Sequence, residues 1–248
     1  MQHDTMHTYR VDLHVHTIAS PDGRSTIEEI AVAAKRAGLD AIAICDHDRC
    51  TPVPDFQAGV LLIPGCEVST RAGHITALFL ERPIDLAALG TLPAPEAAVT
   101  AIRRAGGLAV IAHPFYRPGK AAEDFAFDLD GVETANARAS FKAADANERA
   151  AALAQARGLP AVGGSDAHDA KEVGNAYTEL TAPALTLPAL RKALLDGRSR
   201  AVLVKNTPHI RKGLSQWTKA RRTGRPGRLV KAAAYLAYCV WLDMTRRH

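Results

Sequence analysis

The chain is poor in cysteine, with four thiols in 248 residues (Cys45, Cys50, Cys66 and Cys239), none forming a C-x-x-C pair. That spacing gives no disulfide framework and reads as reduced thiols of a cytosolic protein. Long apolar runs are also missing. The longest, residues 229–244, is interrupted by Lys231 and Asp243 and falls short of the roughly 20 residues a membrane-spanning helix needs. Residues 1–8 are polar, so no secretory leader is expected. The chain has no glycine-rich P-loop, no serine or cysteine nucleophile motif and no internal repeat.

What is present is an ordinary globular composition, 47% hydrophobic and 23% charged, unevenly charged along its length. Eleven Lys or Arg from Lys205 onward face Asp243 alone, giving that segment +10. The total is +5, so residues 1–204 carry −5. An acidic body with a basic tail follows, and the division falls into residues 9–205 and a C-terminal extension, 206–248.

Residues 9–15 alternate as a strand does, and a helix is expected from Ser25 or Thr26 to the stop at Gly38. Short, nearly all-apolar runs at 40–45, 60–64, 74–80 and 108–112 read as buried strands, and 131–133 and 160–163 extend the series. Helices are expected at 95–105, 140–157 and 187–195, with a closing strand at 201–204. Residues 82–94 read as a connection. Strands alternating with helices leave a βα barrel or a doubly wound sheet, and the placement of polar residues favours the barrel. His14/His16, Asp46/His47, Glu67, His113 and Asp166/His168 all fall at or just past an expected strand end, whereas His74 opens one.

Residues two apart on a strand share a face, so His14 and His16 point together, and the turn at Ser20-Pro21-Asp22-Gly23 brings a carboxylate to them. Of ten histidines, His3, His7, His209 and His248 are terminal; the other six, His14, His16, His47, His74, His113 and His168, share this pattern with Asp22, Glu67 and Asp166. So many ionisable groups together would be costly to bury without a cation. A set of nine His, Asp and Glu without cysteine suits two or three ions such as Zn, Mn or Fe. Close metal pairs serve phosphate ester hydrolysis through metal-activated hydroxide.

The order His14-x-His16, Asp46-His47, His113-Pro114, Asp166-x-His168 resembles the polymerase and histidinol phosphatase (PHP) family of metal-dependent phosphoesterases over residues 9 to about 205. The resemblance implies an α/β fold, a distorted (β/α)7 barrel with a trinuclear site. It implies one ion on His14, His16, Glu67 and Asp166, a second on Glu67, His74 and His113, and a third on Asp22, His47 and His168. The residues expected to be catalytic are Asp166, His168, Glu67 and Arg138. Asp22 stands where several members carry histidine. Arg138 is the first candidate for phosphate capture, ahead of Arg24, Arg71, Arg117 and Lys142, because it follows a strand end. Asp46 and Asp48 are expected to orient imidazoles, and Ser165 to make a tight turn.

The expected activity is hydrolysis of a phosphate ester of a small molecule or nucleotide. The alternatives are an exonuclease acting on oligonucleotide ends and a non-catalytic metal-bearing module recruited by its tail. Residues 209–228 read as basic and broken by Gly and Pro, and 229–244 as a helix with Tyr235, Tyr238 and Trp241. That helix either docks on the body or contacts nucleic acid or an anionic membrane, which makes the expected location cytoplasmic, or peripheral at a membrane.

Overall fold

The first strand, β1 (His7–Val15), is hydrogen-bonded on both sides, parallel to β2 (Ala41–Ile44) and antiparallel to β9 (Ala176–Ala182). The structure is a computed structural model that describes residues 5–224 and 226–245; His3, His248, Arg225, Arg246, Arg247 and the first four residues lie outside it. Between β1 and β2 runs α1 (Ile27–Arg36), started by a reciprocal cap in which Glu29 N donates to Thr26 Oγ1 (3.2 Å) and Thr26 N to Glu29 Oε2 (2.8 Å). Its buried stripe, Ile30, Ala31 and Ala34, lies against the sheet.

The strands β3 (Phe56–Gln57), β4 (Val60–Ser69), β5 (His74–Leu78), β6 (Leu108–Ala112), β7 (Gly131–Asn136), β8 (Ala161–Gly164) and β10 (Ser199–Leu203) complete one sheet. Its order is β10-β9-β1-β2-β4-β5-β6-β7-β8, with β3 paired to β4. It curls until its far edge meets its beginning. Gly163 N donates to Thr178 Oγ1 (2.8 Å), which donates back to Gly163 O (2.9 Å), and His16 N donates to Ala167 O (2.8 Å). The nearly closed barrel expected from the sequence is present, enlarged by the antiparallel pair β9–β10.

One apolar cluster fills the barrel, drawing Val11 and Leu13, Ala41 and Ala43, Leu61 and Ile63, Val110, Val162 and Leu180 from six different strands, and α5 (Leu187–Leu195) closes it with Leu190 and Leu194. A second cluster lies between the sheet and α3 (Pro95–Arg104) and α4 (Ala146–Arg157). At roughly 25 cal/mol per Å² of apolar surface, these layers provide the main drive to fold.

Several elements differ from the sequence reading. The connection at 82–94 contains a short helix, α2 (Leu86–Leu89). The helix expected from residue 140 begins at Ala146, preceded by a 3₁₀ turn at Ala139–Phe141, because the Asn147 side chain reaches back across that turn, accepting from Asn136 N (3.1 Å) and donating to Asn136 O (3.1 Å). The strand β9 was not expected. It is half-polar, with Tyr177, Glu179 and Thr181 alternating against buried Thr178, Leu180 and Ala182, unlike the all-apolar runs of its neighbours.

The segment read as broken is helical. It forms α6 (His209–Thr223), which packs against α7 (Pro226–Thr245). Gly213 permits the approach, since a Cβ there would stand 2.8 Å from Leu236 Cδ1 and 3.1 Å from its Cα. Asp243, the tail's only acid, accepts from His209 N (2.9 Å) and Ile210 N (2.8 Å), satisfying the first turn of α6. The pair docks on the body. Thr207 N donates to Ala137 O (2.8 Å), and Arg222 Nη1 donates to Ser20 O (2.6 Å). Among the described residues no helix is long and apolar enough to cross a membrane.

Candidate metal centre

All nine residues singled out from the sequence converge on one rim of the barrel. The pairing of β1 with β2 shifts register between Asp12 and Val15, so that Val15 leaves the barrel cluster for the α1 side and both imidazoles swing into the mouth. His14 Nε2 and His16 Nε2 then stand 3.1 Å apart. His74 belongs here although it begins its strand, because β5 runs antiparallel to both neighbours and pairs His74 with Ser69 and Ala112 at their ends. Glu67 lies within β4 rather than past it, two residues before the strand stops at Ser69.

The tautomers of the central pair follow from their partners. His14 Nδ1 lies 2.9 Å from Glu133 Oε1, and a carboxylate can only accept, so Nδ1 carries the proton. Ser20 Oγ donates to Asp46 Oδ1 (2.6 Å) and hence accepts from His16 Nδ1 (3.1 Å). With both rings neutral, the two Nε2 atoms turn lone pairs toward each other. His168 is held the same way, its Nδ1 donating to the Asp166 carbonyl (2.9 Å) and its Nε2 lying 3.6 Å from Asp22 Oδ1.

Glu67 is fully buried among the imidazoles. Its Oε1 is 2.8 Å from His74 Nδ1 and 3.1 Å from His113 Nε2; its Oε2 is 2.7 Å from His47 Nδ1 and 3.5 Å from His16 Nε2. Asp166 Oδ1 approaches His16 Nε2 at 3.4 Å, and Asp22 Oδ1 is 3.7 Å from His47 Nε2. Asp22 Oδ1 is buried without a hydrogen-bond donor, and Glu67 Oε2, though close to His47 Nδ1, accepts no well-aligned hydrogen bond. Facing imidazole nitrogens and under-bonded carboxylate oxygens gathered in one pocket fit cations. Four overlapping groups have ligand atoms within 4.8 Å: His16/His47/His168, His14/His16/Asp166, His14/Glu67/His113 and His47/Glu67/His74.

The electrostatics divide. Burial would lower His14, His47 and His113, but the facing carboxylates of Glu133, Glu67 and Asp166 outweigh it and raise all three, so a proton competes with a cation for these rings. Burial would raise the carboxyls of Glu67 and Asp166, but the surrounding imidazoles outweigh it and hold both well below the usual carboxylate range. Asp22 is held at about 2, where His168 and His47 overcome its burial. Burial pushes His168 well below the ordinary histidine value, aided by Arg138 and His16, which keeps its imidazole neutral and free to coordinate. The backbone is strained at the same place. His113 and Asp166 hold φ of +30° and +53°, and Asp48 +48°, conformations that non-glycine residues adopt rarely and mostly where function fixes them.

The residues behind this layer were only partly legible. Asp46 accepts from Thr17 N, Thr17 Oγ1, Ser20 Oγ and Thr51 Oγ1 at 2.6–2.8 Å and so reaches His16 through Ser20. Asp48 instead fixes the end of β4 by accepting from Ser69 N (2.8 Å). Glu133 was missed, although an acid in an apolar strand was its signal; besides His14 it accepts from His113 N (2.8 Å). Asp12, also missed, accepts from Ser165 N (2.8 Å) and Gly174 N (3.0 Å), tying β1 to the turn that carries Asp166; burial still pushes its carboxyl up to about 6.

A cavity of about 640 Å³ opens above the cluster. Arg71, Arg117 and Arg138 border it. Arg138 Nε and Nη2 are bonded to Glu172 at 2.7 and 2.8 Å, and Nη2 also to Ser215 on α6 (3.1 Å), so two of its three nitrogens brace the tail against the body. Arg24 is paired with Asp169 at 2.7 Å, and Lys142 lies over the Tyr116 ring. The tail supplies Lys212, Gln216 and Lys219 to the same wall, residues unforeseen because the segment read as an appendage.

Two family models match the chain, the PHP domain over residues 12–104 and a PHP-associated region over 144–199. An uncharacterised protein of Methanocaldococcus jannaschii is 34% identical over 145 residues, which are 52% of this chain and 82% of that one. A probable phosphatase of Syntrophotalea carbinolica is 39% identical over 72 residues, 24% of this chain and 30% of that protein. Among solved structures, a two-domain protein of Bacteroides vulgatus, described as containing a predicted PHP-like metal-dependent phosphoesterase, superposes with a TM-score of 0.60 at 23% identity, covering 80% of this chain and 65% of its own.

Proposed function

This chain belongs to the PHP family, and on that premise we propose that it hydrolyses a phosphate ester of a small molecule or nucleotide at two or three divalent ions. The proposed ligands are His14, His16, Glu67 and Asp166 for one ion, Glu67, His74 and His113 for a second, and Asp22, His47 and His168 for a third. The observation that carries the reading is the pair of Nε2 atoms of His14 and His16 at 3.1 Å, flanked by Glu67 and Asp166. Ions of the Zn, Mn or Fe type supply Lewis acidity to a phosphoryl oxygen and lower the pKa of water toward neutrality.

The chain's own groups bind and orient. Arg71, Arg117 and Lys120 draw the phosphate into the cavity and offset its charge, with the third nitrogen of Arg138 at the edge. Glu133 and Ser20 keep the two central imidazoles in the tautomer that leaves Nε2 free. Glu67, Asp166 and His168 are the proposed catalytic residues, since they would hold the ions beneath the cavity that would take the reacting phosphate.

The row of lysines leaving the cavity along α6 supports a second reading, an enzyme that trims oligonucleotide ends. The test is metal analysis of protein purified without chelator, beside a panel of p-nitrophenyl phosphate, bis(p-nitrophenyl) phosphate, mononucleotides and short RNA. Bound transition metal with turnover of a small ester is the expected result. Preference for RNA over every small ester selects the nuclease, and metal-replete protein that turns over nothing leaves a binding module.

A further inference from the structure

Continuous with the metal cavity lies a second one of about 690 Å³, between the body and the α6–α7 pair. Arg117, Lys142, Lys212, Lys219, Arg228 and Lys231 line it, and among the described residues no acid does. Some cations elsewhere on the surface are paired, as Arg103 is with Asp130 (3.0 Å) and Arg200 with Glu179 (2.6 Å). Here, among the described residues, only Lys219 has a carboxylate within 4.0 Å, and that is Asp22 of the metal cluster at 3.9 Å.

The two cavities share Tyr116. Its ring stands edge-on to His113 (5.6 Å between centroids), while the ammonium groups of Lys212 and Lys142 lie 4.1 and 5.1 Å from its centroid. Lys212 also lies 4.9 Å from the Phe141 ring. Two like charges gathered on one ring, one of them half-buried, repel each other in a medium of reduced dielectric. Aromatic faces offset only part of this. An anion between them removes the repulsion, and six cations without an acid attract one.

We propose that Arg117, Lys142, Lys212, Arg228 and Lys231 form an anion subsite that holds a second phosphate group of the substrate while its ester phosphate lies in the metal centre. The substrate is then a bisphosphate whose two anionic groups are separated by a spacer lying along Tyr116. This rests on the phosphoesterase reading for the ester end alone; the subsite itself is a binding site with or without turnover.

Arg228 and Lys231 are exposed on α7, so Arg228→Glu with Lys231→Glu, or both to Ala, alters charge without disturbing packing. Metal-loaded wild type should hydrolyse butane-1,4-diol bisphosphate with kcat/KM about tenfold above butyl phosphate, and the double variant should bring that ratio near unity through KM. In parallel, inorganic pyrophosphate is titrated calorimetrically into protein kept metal-free by chelator; the variant should bind it about tenfold more weakly. Equal turnover of the two esters, or pyrophosphate affinity unchanged in the variant, overturns the proposal. If neither ester is cleaved while pyrophosphate binds wild type and not the variant, the subsite stands and the phosphoesterase reading falls.

Discussion

Histidine at the mouth of this barrel works as a ligand only if the proton sits on the remote nitrogen, and for His14 that choice belongs to Glu133. Glu133→Gln can still accept through its carbonyl oxygen, but it loses the negative charge that favours the Nδ1 tautomer and the His113 N bond weakens. Metal affinity measured by competition with a chromogenic chelator should drop about 10–100-fold, with the fold intact by circular dichroism. His16→Ala removes a ligand outright, and both bound metal and ester hydrolysis should disappear together. Lys212 provides a pH signature. Burial lowers its ammonium from the usual lysine value to about 8, so it is charged below that pH and neutral above it. Sulfate, whose own charge is constant from pH 7 to 9.5, should therefore bind more weakly as pH rises through about 8, and Lys212→Arg should flatten that loss.

At the level of elements, strand ends did most of the informing. The apolar runs at β2 and β6 and the histidines beyond them were readable because a strand buried on both faces carries polar groups most readily where it stops. The element β9 was not, since its alternation of Tyr177, Glu179 and Thr181 with buried residues is that of a half-solvated strand, and α6 was hidden by Gly213, a residue that disfavours a lone helix yet lets α7 come close. Nor could spacing reveal that Arg138 would face Glu172, thirty-four residues away. Gly164, at the end of β8, could have been guessed as a turn; its true constraint is that a Cβ would lie 2.4 Å from His14 Cβ and 2.8 Å from Glu133 Oε1. Gly164→Ala should cost about 1–3 kcal/mol in denaturant unfolding and loosen the metal, because neither neighbour can retreat. Asp243→Ala deprives α6 of its cap and should cost about 1 kcal/mol, read as a lower midpoint of thermal unfolding.

For the molecule as a whole, a cluster of unsatisfied carboxylate oxygens and lone pairs is a place where ligand binding and stability are one quantity. Free metal at a thousand times its dissociation constant should stabilise the native state by about 4 kcal/mol, so chelation should lower the thermal midpoint by several degrees and readdition should restore it. The closure of the barrel has a kinetic counterpart. His7 pairs with Ala182, and His16 is held by Ala167, so the earliest strand waits for partners more than a hundred and fifty positions downstream. Such distant contacts form late, since each demands a large loop to be closed first. In a stopped-flow refolding experiment, helix should appear well before ion uptake, and a half-made chain emerging during synthesis would carry its histidines apart, unable to sequester metal until the circle is joined.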